Sequence, residues 1–300
     1  MLSSVKQAAK SEVVARLDRW GWRLARAAPL DLRGETDDPI AAAYLADKRS
    51  VLIDVAMERC RRGWGTISFA LGAKSLDPIV RTARDHIRDN RTTYEGSPLA
   101  RYYEHFQPRS AAEVLGLPAI LPFTEMPPLA AQLPWSVTVS LDARHALIRK
   151  ENRGHGAKLD AEHGWFGFGP VSTQKGRLEM TRLGRVCDSI REHGYRRRDT
   201  MDGDIRASIL IGNRDWVCWI GSGHHRIAAL SALGYTQVPI RLLSGGYRPL
   251  IRRTDVDAWP QVRSGLYSRD QALAVFDRIF EGRPPDETLP PKWGKAEATM

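Results

Sequence analysis

The sequence predicts an α/β chain: a helical N-terminal half, then a mixed-sheet domain closed by a C-terminal helix. Three observations carry this. Apolar residues in the first half recur at three- and four-residue intervals, the helical period. Beyond residue 200, short β-rich runs (Ile205–Ile211, Trp216–Ile220 and Val238–Ile240) are separated by turn residues. Near the end, Ser268 and Gln271 have capping-box spacing ahead of a helical stretch at 269–281, which Gly282 and Pro284-Pro285 close.

Taken in order, Val5, Val13, Val14, Leu17, Trp20 and Leu24 give residues 3–26 a helical apolar stripe, with Arg16, Arg19, Arg23 and Arg26 between them. Such a helix packs on its own protein or, alternatively, rests on an anionic membrane surface. Further helices are expected over about 38–62, 76–90 and 110–116. Pro118, Pro122, Pro127, Pro128 and Pro134 then interrupt regular structure. Ser136–Leu141 alternates like a strand, and the charged stretch Glu151–Gly164 reads as a loop. Trp165, Phe166 and Phe168, interleaved with glycines, form either core or a loop stacked on a ligand. Leu178, Leu183, Val186, Cys187 and Ile190 mark an amphipathic helix that Gly194 ends. The organisation expected is 1–116 mostly helical, 117–164 connection, 165–250 sheet domain, 251–286 helical extension and 287–300 tail.

The 300 residues are 42% hydrophobic, enough for a packed core, and the formal charge is +10. No run reaches the ~18 apolar residues of a membrane span, and the N-terminus lacks a secretory pattern, so a cytoplasmic protein is expected. The three cysteines, Cys60, Cys187 and Cys218, are widely spaced and match no zinc pattern; they are expected to be reduced. Between Val171 and Leu250, 13 Lys/Arg face seven Asp/Glu, which concentrates the positive excess there and favours an anionic ligand for that half.

The most informative stretch is 211–243. An apolar strand runs into Gly221-Ser222-Gly223, and a helix starts with His224, His225 and Arg226 and ends at Gly234. A glycine turn feeding a helix N-terminus presents free N–H groups and the positive end of the helix dipole to an anion. Gly221 and Gly223 allow close backbone approach and positive φ, Ser222 offers a hydroxyl, and Arg226 can fork two phosphate oxygens. One histidine of the adjacent pair can move protons while the other packs or caps.

The segments RVCDSIREHGY, GDIRASILI, WVCWIGSGHHRIAALSALGY and VPIRL resemble the ParB N-terminal/sulfiredoxin-like superfamily over residues ~170–245. The resemblance implies a mixed-sheet fold whose loop before the short helix holds nucleotide phosphates. The activities it covers include CTP hydrolysis, ATP-dependent sulfinic-acid reduction, free serine phosphorylation and nuclease action. The pattern is closest to the Asp-Gly-His-His-Arg form of the serine-kinase-like branch, with Ser222 where that branch has an acid. His224 stands where sulfiredoxin has its reactive cysteine, and no helix-turn-helix follows Ile240.

The function expected is therefore nucleotide-dependent phosphoryl transfer or NTP hydrolysis. The cofactor would be a nucleoside tri- or diphosphate, with Mg2+ as a further expectation, and the acceptor a small molecule or glycan. His224 and His225 are the candidate proton carriers, and Glu179 and Asp204 the candidate activating carboxylates. Two alternatives stand: a ParB-type nucleotide-switched nucleic-acid-binding protein, and a non-catalytic scaffold in surface-polysaccharide metabolism.

Overall fold

The computed structural model describes residues 28–46, 49–63, 69–154, 158–197, 203–242 and 250–287. Among these residues, eight strands form one mixed sheet: β1 (Leu30–Asp31), β2 (Val51–Ala56), β3 (Cys60–Arg62), β4 (Phe69–Ala70), β5 (Ile205–Ile211), β6 (Trp216–Ser222), β7 (Gln237–Leu242) and β8 (Leu250–Arg252). The order is β1-β2-β7-β5-β6-β3-β4. β5 pairs antiparallel with β6 on one side; on the other it pairs in parallel with β7 at Ile205–Ala207 and with β8 at Ile209–Ile211. β2 runs antiparallel to β7 over its whole length, and β3 runs parallel to β6. Strands from the N-terminal region thus flank those from the C-terminal region on both sides of a single sheet.

The helices are α1 (Pro39–Leu45), α2 (Pro78–Arg88), α3 (Pro98–His105), α4 (Ala111–Leu115), α5 (Leu141–Gly154), α6 (Thr173–His193), α7 (His224–Ala232), α8 (Pro260–Arg263) and α9 (Arg269–Glu281). Two neighbouring β3 residues assign them to faces of the sheet, because successive strand residues point to opposite sides. Arg62 reaches Asp77, the residue that caps α2 through the amides of Ile79 and Val80. Arg61 donates from Nε to the Phe280 carbonyl of α9, 2.8 Å away. The face bearing α2 also holds α6 and α7, which pack on α2 and on each other. On the α9 side, Trp135, Trp219, Trp259 and Phe276 meet ring to ring at 5.4–6.2 Å. The result is a three-layer helix/sheet/helix arrangement with its core on both faces.

Several sequence expectations carry through. β5 matches Ile205–Ile211, α6 ends at Gly194 with φ 68°, and Ser268 and Gln271 form the capping box of α9, which Gly282 closes. Two do not. The helix expected over 38–62 stops at Leu45, and 51–62 is mostly strand. Val51-Leu52-Ile53 is a buried apolar run, which helical and strand periods fit equally well over so short a length. Among the described residues, the N-terminal region thus supplies four of the eight strands besides its helices. Ser136–Leu141 is not a strand. The Gln132 side chain bonds both the N–H and the carbonyl of Val139, where a pairing strand would sit, and Ser140 caps α5. Glu151–Gly154, expected as loop, extends α5. The helix at 3–26, Arg198, Asp202 and the tail beyond 287 lie outside the described residues.

Candidate anion-binding site

β6 continues through Ser222, so the expected three-residue turn is shorter in the structure. Arg206 pairs with Ser222 and Ala207 with Ile220, leaving Gly221 as the extra residue of a β-bulge and outside the positive-φ glycines. The chain turns at Gly223 alone, with φ +87°. Only glycine adopts this conformation without strain, and a Cβ here would also lie 3.1 Å from the Ile205 Cα. Gly223 N-caps α7 with no side-chain cap. The amides of His224, His225 and Arg226 therefore have no acceptor among the described residues, since the first accepted bond runs from Ile227 to the Gly223 carbonyl at 3.0 Å.

On one flank of this helix end lies Asp204, 1% exposed, whose carbonyl is 3.4 Å from the position a Gly223 Cβ would take. Its carboxylate is held by Arg197 Nε at 2.7 Å and by Arg241 Nη1 at 3.1 Å. Arg241 also donates to Ser50 Oγ at 2.6 and 2.9 Å. Arg206 donates from Nη2 to Ser222 Oγ at 3.2 Å, while its Nε is buried without a hydrogen-bond partner. Arg226 is half-buried and has no ion pair or hydrogen bond among the described residues. It acts electrostatically on the Tyr195 phenol; burial raises that phenol's pKa, and the arginine and the Ile205 main chain work against the rise. Arg197 and Arg241 thus hold the Asp204 carboxylate, with Arg206 and Arg226 beside the same turn; Asp31 also acts electrostatically on Arg197, and Asp204 on Arg33.

On the other flank lies Glu179 of α6, also 1% exposed. Lys175 Nζ sits 2.7 Å from its Oε1, Arg182 Nη1 lies 2.9 and 3.1 Å from its two oxygens, and His225 Nε2 is 3.0 Å from Oε2. The His225 N–H is not aimed squarely at the carboxylate, so the contact has hydrogen-bond distance with poor alignment. Burial raises the Glu179 pKa, but His225, Arg182 and Lys175 together outweigh it and hold the carboxyl well below its usual range. Behind this group, Lys175 Nζ donates to Asn152 Oδ1 at 2.6 Å, and Arg182 reaches Glu151 at 3.4 Å, both on α5.

His224 packs its ring against Phe166, with centroids 5.4 Å apart. Neither ring nitrogen has a hydrogen-bond partner among the described residues, although the residue is 9% exposed. Burial, helped by Arg62, holds its pKa well below the ordinary histidine value. Phe166 and Phe168 are core residues that each meet the Trp165 ring edge-on, and the Tyr103 hydroxyl donates to the Phe166 carbonyl at 2.9 Å.

The structure therefore brings Gly223, Ser222, Arg226, His224 and His225 to one helix end, with Glu179 and Asp204 on opposite flanks. Sequence reading missed Lys175 and Arg182, whose i−4 and i+3 spacing about Glu179 was a usable signal. It also missed Arg206, Arg241, Tyr195 and the buried Arg62–Asp77 pair, for which local sequence carries no signal. Cys60 and Cys218 are register partners on β3 and β6, buried and unbridged; burial and the neighbouring thiol push the Cys218 pKa up, as suits inert core thiols. Among the described residues there is no cluster of three or more metal-ligating side chains and no helix long and apolar enough to cross a membrane. No family model matches the chain, and no match was found among curated proteins or solved structures.

Proposed function

We propose that the N-terminus of α7 binds the phosphates of a nucleotide, and that the protein is a nucleotide-dependent phosphotransferase or NTP hydrolase. The observation that carries this is the uncapped helix end on Gly223. Among the described residues, three main-chain amides at this end have no acceptor, and the Arg226 guanidinium beside them has no carboxylate partner. Backbone amides and the helix dipole favour the same anion, and a forked guanidinium adds a second pair of donors. Arg206 and the Ser222 hydroxyl extend the donor set. Buried polar atoms without partners cost stability, so the His224 ring nitrogens, which have none among the described residues, support a ligand beside them. The resemblance of residues ~170–245 to the ParB N-terminal/sulfiredoxin-like superfamily adds to the reading, because the phosphate loop of that family falls at this turn.

A divalent ion held by protein carboxylates does not fit these residues. The oxygens of Glu179 face Lys175, Arg182 and His225, and those of Asp204 face Arg197 and Arg241. No step is assigned to such an ion.

The test is a thermal-shift panel of ATP, ADP, CTP and GTP with and without magnesium. A nucleotide present at 100 times its dissociation constant stabilises the fold by about 2.7 kcal/mol. Arg226→Ala is expected to abolish that stabilisation. A well-folded protein that none of the four stabilises ends the proposal.

A further inference from the structure

The two carboxylates nearest the helix end are both surrounded by cations, which leaves the identity of the proton acceptor open. Glu179 is buried and its oxygens face Lys175, Arg182 and His225. A carboxylate so compensated is a poor base, because protonating it would leave the cations unbalanced in a dry site. Asp204 is compensated in the same way by Arg197 and Arg241. His224 is buried against Phe166 and touches no charged partner directly.

His225 differs from all three. Its ring retains 12% exposure, and its only ionic contact among the described residues is through Nε2. The charged groups about it are Glu179, which it contacts, Lys175 and Arg182 on that carboxylate, Glu151 of α5 behind Arg182, and the Arg62–Asp77 pair of β3 and α2 beyond His224. Lys175 and Arg182 balance Glu179 and Glu151, and Arg62 balances Asp77. The set is neutral without His225. A neutral imidazole carries one N–H, and a carboxylate 3.0 Å from Nε2 draws it to that atom. Nδ1 is then left as the lone-pair nitrogen. Being bonded to Cγ, it is the ring nitrogen nearer the residue's own main-chain amide, one of the free amides at the helix end.

We propose that Glu179, seated by Lys175 and Arg182, is a positioning residue that holds His225 as the Nε2–H tautomer, so that Nδ1 accepts the proton of a hydroxyl nucleophile. The inference rests on the phosphate reading of the Gly223 turn and names the acceptor class within it: water or an alcohol. In the step, the nucleophile's O–H proton passes to Nδ1 and its oxygen forms the new bond to the terminal phosphorus. The bond from that phosphorus to the bridging oxygen breaks, the nucleoside diphosphate leaves with the bonding pair, and the imidazolium returns its proton to solvent. Closing the misaligned Nε2 contact requires only a ring rotation, as is common for such bonds before substrate binds.

The test is 15N NMR of the ring nitrogens in the full-length protein labelled at histidine, with the His225 signals assigned by their loss in His225→Asn. At pH 8 the expected spectrum shows a protonated Nε2 and an unprotonated Nδ1. Titration with inorganic phosphate is then expected to shift the Nδ1 resonance in the wild type and leave it unmoved in Arg226→Ala. An Nδ1–H tautomer, an imidazolium at pH 8, or an Nδ1 indifferent to phosphate that visibly binds would each overturn the inference while leaving the turn as an anion seat. Absence of any saturable phosphate shift in the wild type instead removes the reading of the turn, and the base role with it; the tautomer measurement still shows whether Glu179 positions the ring.

Discussion

The two flanks of α7's N-terminus are built from the same parts and differ in charge. Each centres on a carboxylate that is 1% exposed. Around Glu179, two cations meet two carboxylates and the group closes on itself. Around Asp204, the arginines outnumber the acids: Arg197 and Arg241 hold the carboxylate while Arg206 and Arg226 have no carboxylate partner among the described residues. On the proposed reading, the anion lies toward the Asp204 side and the oriented His225 imidazole toward the Glu179 side. A helix end placed between a positive wall and a balanced one can hold phosphate and move a proton without either function neutralising the other.

The largest effect that would break this comparison is expected from Glu179→Ala. It leaves Lys175, 1% exposed, without its carboxylate, and loss of one partner of a buried ion pair costs about 3–5 kcal/mol. Asp204→Ala frees two arginines that retain 15–16% exposure and can turn toward water, so about 2 kcal/mol is expected. Urea denaturation of the two variants compares them directly; equal losses would mean the flanks are not distinct.

Acid sharpens the same contrast. The folded-state pKa of His224 lies below its ordinary 6.5, so the unfolded chain takes up a proton first as pH falls. The contribution of neutral His224 is complete above about pH 6.5 and is lost as pH drops toward the depressed folded value. Glu179 behaves likewise from its ordinary 4.5 downward. Melting temperature should decline in two stages, the first below about pH 6.5 and the second below about pH 4.5. His224→Gln is expected to flatten the first stage only. A wild-type profile flat between pH 7 and 5 would contradict the buried, neutral His224.

A smaller loss is expected at the turn. Gly223→Ala puts a Cβ at φ +87°, 3.1 Å from the Ile205 Cα, and should cost about 1–2 kcal/mol in chemical denaturation. The smallest change in stability is expected for Arg226→Ala, within about 0.5 kcal/mol, because the side chain carries no partner among the described residues. A large loss of stability there would show that Arg226 is structural and remove the free cation from the positive wall.

Much of the site's local geometry was legible in the sequence. Gly223 followed by three residues able to carry charge or protons, then an Ala/Leu helix ended at Gly234, specified the strand-turn-helix unit. The bulge at Gly221 was not legible, because it depends on how Arg206 and Ala207 register against β6. Nor could the sequence distinguish Glu179 as a free base from Glu179 as an orienting group: Lys175 and Arg182 are its helix neighbours, but whether that helix face is buried is decided by α5 and α7 packing on it.

By itself, the sequence determined what depends on a few adjacent residues: the αL turn, the Ser268 capping box, the end of α6 at Gly194, and the strand period of Ile205–Ile211. These are fixed by φ preference, main-chain capping and side-chain alternation, which act over a turn or two of chain. Tertiary structure alone decided that Val51–Ala56 joins β7, that Arg62 meets Asp77 beneath α2, and that Arg241, 37 residues from Asp204, comes to share its carboxylate. Those contacts follow from the order in which strands enter the sheet. Burial then selects which charges must pair, because an unpaired charge in a desolvated layer costs more than any local propensity can offset.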